Sequence, residues 1–169
     1  RCAEALLKIE KEFNIRYDIV VMVQGDEPMT HPNMITEAIT PMLEDHNVLV
    51  TNLMGKIKTK EEFADPNCIK VVCNLKNEAL YFSRQPIPTL SVSNHHSMSK
   101  QICVIPFQRD FLIKYTKLNP TQLEVLESID MMRIIEHGLP IQMVETDYET
   151  HAVDTREDME KVAAILAKR

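Results

Sequence analysis

Apolar and polar positions along this chain follow two alternating periods. In RCAEALLKIEKEF, Ala3, Leu6, Leu7 and Ile9 fall near helical spacing with lysines and glutamates between them, which predicts an opening helix. Ile19 to Val23 is an unbroken, mostly β-branched run ending at Gln24 and Gly25, the pattern of a strand buried on both faces, as in a parallel sheet. A helix is expected over 33–46, with Pro41 either kinking it or marking a first turn after a break. A strand over 48–54 and a short helix over 60–64, stopped by Asp65 and Pro66, should follow. CIKVVC and EALYFSRQPIP read as two strands joined by a turn at 74–77.

Residues 89–99 are almost wholly Ser, Asn, His, Thr and Met, the composition of a mobile surface loop. KQICVIPF is a further strand and RDFLIKYTKL an amphipathic helix. Thr121 and Glu124 make a capping box that opens a helix running to His137, where Gly138 suits a left-handed cap. LPIQMVET predicts a strand, and a second box at Thr155 and Asp158 opens a last helix burying Met159, Val162 and Leu166. Alternating strands and helices with no linker or repeat predict one α/β domain over 1–169, an open, mixed but mostly parallel sheet flanked by helices, with right-handed crossovers.

Composition narrows the function. With only three glycines, Gly25, Gly55 and Gly138, the chain has neither a GxGxxG fingerprint nor a Walker-type phosphate loop. A net charge of −6, with acids and bases mixed throughout, argues against nucleic acid as a partner. No apolar stretch reaches membrane-spanning length, so a cytoplasmic protein is expected. Cys2, Cys68, Cys73 and Cys103 lack any CxxC spacing and read as reduced, buried thiols.

Ligands of open α/β sheets bind beyond the carboxyl ends of the strands. Asp26 stands there, three residues past Val23, and is either a plain strand-ending turn or a carboxylate for Mg²⁺. Asp154, between a strand and a helix, is either an N-cap or a second metal carboxylate. At about 100° per residue Leu123, Glu127, Asp130 and Ile134 share one helix face. Its two acids are either solvated or directed at a ligand or at Arg133. Arg84, framed by prolines, suits either bidentate anion recognition or a surface ion pair. His95 and His96 read as solvated and Met131 and Met132 as core.

Taken together, VQGDEP at 23–28, DPNCIKVV at 65–72, ALYFSRQPIP at 79–88, PTQLEVLESIDMMRIIEHG at 120–138 and AVDTREDMEKV at 152–162 resemble the 3-deoxy-manno-octulosonate (Kdo) cytidylyltransferases. The five motifs run in order over nearly all of the chain. The resemblance implies a Rossmann-like nucleotidyltransferase fold, a homodimer, and Mg²⁺-dependent transfer of CMP from CTP to an acidic sugar for cell-surface glycan (lipopolysaccharide) synthesis. It further implies that Asp26 and Asp154 hold metal, that Gln24 lines the sugar site, and that Arg84 and Glu127, with Asp130 on the same helix, lie near the sugar. Arg1 matches the arginine closing an SGTDR-like motif. On this reading the triphosphate loop lies upstream, the chain is the C-terminal two thirds of the domain, and alone it should neither bind CTP tightly nor turn over.

Two segments depart from the family pattern. The family's KHIGIYAYR stands here as residues 100–108, with Gln101 at the histidine and Ile105 at the tyrosine. Its LEQLR stands as residues 129–133, with Met131 at the glutamine. CTP as donor is therefore the firmer expectation. The acceptor is Kdo or a related ulosonate, a sialic-type nonulosonate or a phosphonate. A noncatalytic nucleotide or sugar-acid binding module is the reading from another class, and the presence of both Asp26 and Asp154 weighs against it.

Overall fold

The opening amphipathic pattern forms helix α1 (Cys2–Phe13), which buries Ala3 and Leu6 and ends at Asn14 in the left-handed conformation. The computed structural model describes residues 1–89, 98–153 and 155–167. Strand β1 (Ile19–Val23), helix α2 (Pro32–Glu44), strand β2 (Thr51–Lys56) and helix α3 (Lys60–Ala64) follow the expected order. Pro41 lies within α2. Strands β3 (Lys70–Cys73) and β4 (Ala79–Ser83) form the expected antiparallel hairpin. His95, His96 and most of the polar loop, residues 90–97, lie outside the described residues.

The single strand expected from KQICVIPF is two, β5 (Ser99–Ile102) and β6 (Val104–Gln108), broken at Cys103. Helix α4 (Arg109–Tyr115) comes next. The long helix expected from Thr121 to His137 is also two, α5 (Gln122–Glu127) and α6 (Met131–Glu136). Ser128 separates them with φ 55°, so the four residues read onto one face are not on one helix. Glu124 accepts the Thr121 N–H at 3.2 Å, as a capping box requires, and Gly138 has φ 71°. Strand β7 (Gln142–Glu145) and helix α7 (Arg156–Leu166) complete the chain. Only Val162 of the three expected α7 core residues is buried; Met159 and Leu166 are exposed.

The sheet is mixed, with order β4-β3-β5-β2-β7, and β1 pairs with β6 beside it. Among the described strands only β2 and β7 pair in parallel, so the sheet is mixed, as expected, but antiparallel pairs predominate where a parallel majority was expected. The reason is the strand 99–108. It lies antiparallel to both β1 and β2, so these two run the same way but are separated by it. Nor is β1 buried on both faces, since it pairs only with β6 among the described strands and Val23 is exposed.

Successive residues of β2 face opposite ways. Leu53 packs with Met34 and Ala38 of α2 and with Ile102 and Val104. Val50 and Met54 belong to the larger core, with Phe82, Phe107, Phe111, Met131, Met132 and Ile134. The helices thus cover both faces of the sheet, and Met131 and Met132 are core as expected.

Candidate active site

Beyond the end of β1 the chain winds through two successive turns, with the Glu27 N–H donating to the Gln24 carbonyl at 3.2 Å and the Thr30 N–H to the Glu27 carbonyl at 3.2 Å. This loop carries Gln24, which is exposed, and Asp26, which is half-buried. The break at Cys103 anchors one side of it. The Gln24 N–H donates to the Cys103 carbonyl at 3.3 Å, and Glu27 Oε1 accepts the Cys103 N–H at 3.4 Å. A strand break thereby supplies the unpaired backbone groups that hold the loop.

The segment after β7 anchors the other side. The Val153 N–H donates to the Asp26 carbonyl at 2.9 Å. The Tyr148 ring stacks on His31 with centroids 4.7 Å apart, and Asn33 Nδ2 donates to the Tyr148 hydroxyl at 2.7 Å. The residue preceding Asp154 is therefore bonded to Asp26; Asp154 itself lies outside the described residues. Among the described residues, Asp26 Oδ1 is buried with no hydrogen-bond partner. Leaving a charged acceptor so costs roughly 1–3 kcal/mol or more, and a hard cation with oxygen ligands relieves that cost. The residues present fit such an ion, although no group of three or more His, Cys, Asp or Glu suited to metal occurs among the described residues.

Arg84 and Glu127 are brought together at a second place, in a closed knot. Glu127 accepts from the Tyr81 hydroxyl at 3.1 Å, the Ser83 hydroxyl at 3.1 Å and the Arg84 backbone N–H at 2.9 Å. The Arg84 guanidinium donates to the carbonyls of Glu127 at 2.7 Å, Pro66 at 3.0 Å and Ser128 at 3.2 Å. Three of its five N–H bonds are thus spent on backbone. Lys70, fully buried, donates to the carbonyls of Asp65 at 2.8 Å and Arg84 at 2.5 Å. Burial lowers the pKa of its ammonium, and burial followed by the Glu127 carboxylate raises that of the Tyr81 phenol, so Tyr81 remains a donor.

The remaining candidates are dispersed. Gln101 on β5 donates through Nε2 to Asn52 Oδ1 at 2.6 Å. Asn52 is fully buried, and its own amide N–H₂ donates to the carbonyls of Leu53 at 2.9 Å and Ile102 at 2.7 Å. Those two acceptors fix which way Asn52 points, and so fix the Gln101 oxygen away from it. Asp130 is exposed, its carbonyl accepting from the Tyr115 hydroxyl at 3.1 Å. Arg1 is the exposed residue preceding α1. The four cysteines are half-buried and form no disulfide among the described residues, and burial pushes the thiols of Cys68 and Cys73 up to about 11.

Sequence reasoning passed over Asn52, Lys70, His31 and Tyr148. A polar residue in VTNLM and a lysine in CIKVVC both interrupt apolar runs, a legible signal of a buried polar group. Nothing in the sequence pairs Tyr148 with His31, 117 positions apart.

A family model described as Cytidylyltransferase matches residues 1–149. The chain belongs to the cytidylyltransferase family. It is 41% identical over 162 residues to a 3-deoxy-manno-octulosonate cytidylyltransferase of Geotalea uraniireducens, an alignment covering 89% of this chain and 64% of the relative. The same enzyme of Geobacter metallireducens is 36% identical over 179 residues, covering 99% of this chain and 68% of the relative. The chain spans 64% of the length of each of the two Geotalea relatives. Among solved structures, a CMP:2-keto-3-deoxy-manno-octonic acid synthetase complexed with CTP superimposes with a TM-score of 0.86 at 31% identity, over 99% of this chain and 68% of that one. A glucose-1-phosphate thymidylyltransferase of Bacillus anthracis, at 14% identity and TM-score 0.56, covers 96% of this chain and 59% of its own and shares the fold. The Rossmann-like nucleotidyltransferase architecture expected from the motifs is the fold of this family member.

Proposed function

We propose that the protein transfers CMP from CTP to an acidic sugar, Kdo or a related ulosonate, releasing pyrophosphate, as a step in cell-surface glycan synthesis. The observation that carries this reading is Asp26. In a chain of this family, it stands at the carboxyl end of a strand within QGDEP with a buried, unpartnered oxygen. In the reaction an oxygen of the acceptor forms a bond to the α-phosphorus of CTP, the bond to pyrophosphate breaks, and the hydroxyl proton is lost. Mg²⁺, when bound, neutralises charge on the phosphate oxygens.

Asp26 and Asp154 would hold that ion. The Cys103 break keeps the Asp26 loop from swinging. Gln24, exposed on the same loop, is available to the sugar. Arg84 keeps two N–H bonds for an anion but cannot reorient, because its other three hold the Glu127 and Ser128 carbonyls and Pro66. Glu127 acts through Arg84 and Tyr81. Gln101 offers a fixed acceptor oxygen, suited to a ligand hydroxyl. Asp130 and Arg1 complete the substrate-binding set, and the working protein is a cytoplasmic homodimer.

The test is pyrophosphate release from CTP by the complete protein with a panel of sugar acids. Stimulation by Kdo or a related ulosonate is expected. CTP binding without stimulation by any acid would leave a noncatalytic binding module as the reading.

A further inference from the structure

Two stretches of chain far apart in sequence are cross-linked at two points around Asp26. At the tip, the Val153 N–H holds the Asp26 carbonyl at 2.9 Å. At the base, Tyr148 lies on His31 with the rings 4.7 Å apart and 11° from parallel, and its hydroxyl takes the Asn33 amide at 2.7 Å. His31 is itself fixed, because its Nδ1 accepts the Asn33 N–H at 3.2 Å at the start of α2. The 146–153 segment is tied back to the sheet by the Thr146 N–H on the Met54 carbonyl at 3.0 Å and by the ion pairs Lys58–Glu149 and Lys56–Asp147.

These contacts differ in what they reach. The two ion pairs are exposed, and such pairs contribute about 0–1 kcal/mol. The stack, in contrast, joins the segment to the N-terminus of α2, five residues beyond Asp26, and stands five residues before the Val153 bond. A carboxylate with one unpartnered oxygen binds an ion well only when the atoms around it are already in place.

We propose that the His31–Tyr148 stack is a clasp that sets the position of Asp26, so that Tyr148 is a positioning residue for divalent-cation binding. This rests on the reading of Asp26 as a metal carboxylate. Tyr148 touches neither ion nor substrate; it acts through the loop it pins.

The experiment is titration of the complete protein with Mn²⁺ alone, free aquated ion being read by electron paramagnetic resonance. Wild type, Asp26→Asn, Tyr148→Leu, Tyr148→Phe and Asp147→Ala are compared, and the melting temperature of each is recorded. Removing an outer-shell support typically costs about ten- to a hundredfold in metal affinity. A loss of that size is expected for Tyr148→Leu. Tyr148→Phe keeps the stacked ring and should retain affinity within about threefold, while Asp147→Ala, which loosens the same segment at an exposed pair, should leave it unchanged. If Asp26→Asn abolishes binding but Tyr148→Leu binds as wild type does, the clasp is overturned and the metal reading stands. If Asp147→Ala weakens binding as much as Tyr148→Leu, the clasp is overturned in favour of general loosening. If wild type does not bind, or Asp26→Asn binds equally, the clasp and the metal reading fall together.

Discussion

The Asp26 loop and the Arg84–Glu127 knot are both charged, both lie in motifs that resemble the family's, and are built in opposite ways. Glu127 takes three donors from its own chain and Arg84 gives three protons to carbonyls. Asp26 Oδ1, buried, takes none among the described residues. Buried polar groups are usually satisfied, so an open carboxylate oxygen at the carboxyl end of a strand leaves a place for a ligand, whereas a filled cluster chiefly holds chain to chain. The knot fastens the β3–β4 hairpin and the Asp65–Pro66 turn to the left-handed break at Ser128, and leaves Arg84 only two N–H bonds for a ligand.

The sharpest way to break this contrast is to neutralise each carboxylate. Asp26→Asn should lower turnover by at least about a thousandfold, the several kcal/mol that charge neutralisation by metal supplies, while the melting temperature holds or rises because an unpaired charge is gone. Unchanged turnover would take Asp26 out of the metal site. Glu127→Ala should do the reverse, costing about 2–4 kcal/mol in urea unfolding through three stranded donors; a variant as stable as wild type but inactive would move Glu127 into the site. Less drastic is Gln101→His. With one hydrogen-bonding group altered, preference should move toward Kdo by about tenfold in kcat/KM, and no movement would mean that this position does not touch the sugar.

The smallest effect belongs to neither region and calibrates both. Glu10, bonded through both oxygens to Arg109 at 2.7 and 2.6 Å, has its pKa lowered from 4.5 to about 2, chiefly by that hydrogen bond. A depressed carboxylate contributes stability that is present above its unfolded pKa and lost as pH falls through the folded value. Acid melts between about pH 4.5 and 2 should therefore steepen in wild type relative to Glu10→Gln. Parallel curves would show that the pair adds nothing.

The contrast also marks how far the sequence could be read. Periodicity located nearly every element, because burial demands it: α1, β1, the β3–β4 hairpin and α3 lie where the apolar positions put them. It missed the breaks at Cys103 and Ser128, because both sit inside patterns that continue unbroken across them. Those two breaks matter most for the site, one anchoring the Asp26 loop and the other receiving Arg84. Burial of β1 was over-read, since a continuous apolar run does not say how many neighbours a strand has. The motifs singled out Asp26, Arg84 and Glu127, but not their state of satisfaction. That Arg84 is largely spent on backbone and Asp26 is not depends on contacts across 44 and more than 120 positions, which no local pattern encodes.

The central claim is tested most directly by titrating Mg²⁺ into the complete protein with CTP and Kdo and following pyrophosphate release in wild type and Asp26→Asn side by side. The account predicts saturable, Mg²⁺-dependent release that needs the acid and is lost in the variant. Release without Mg²⁺, or equal Mg²⁺ curves for the two proteins, would contradict it.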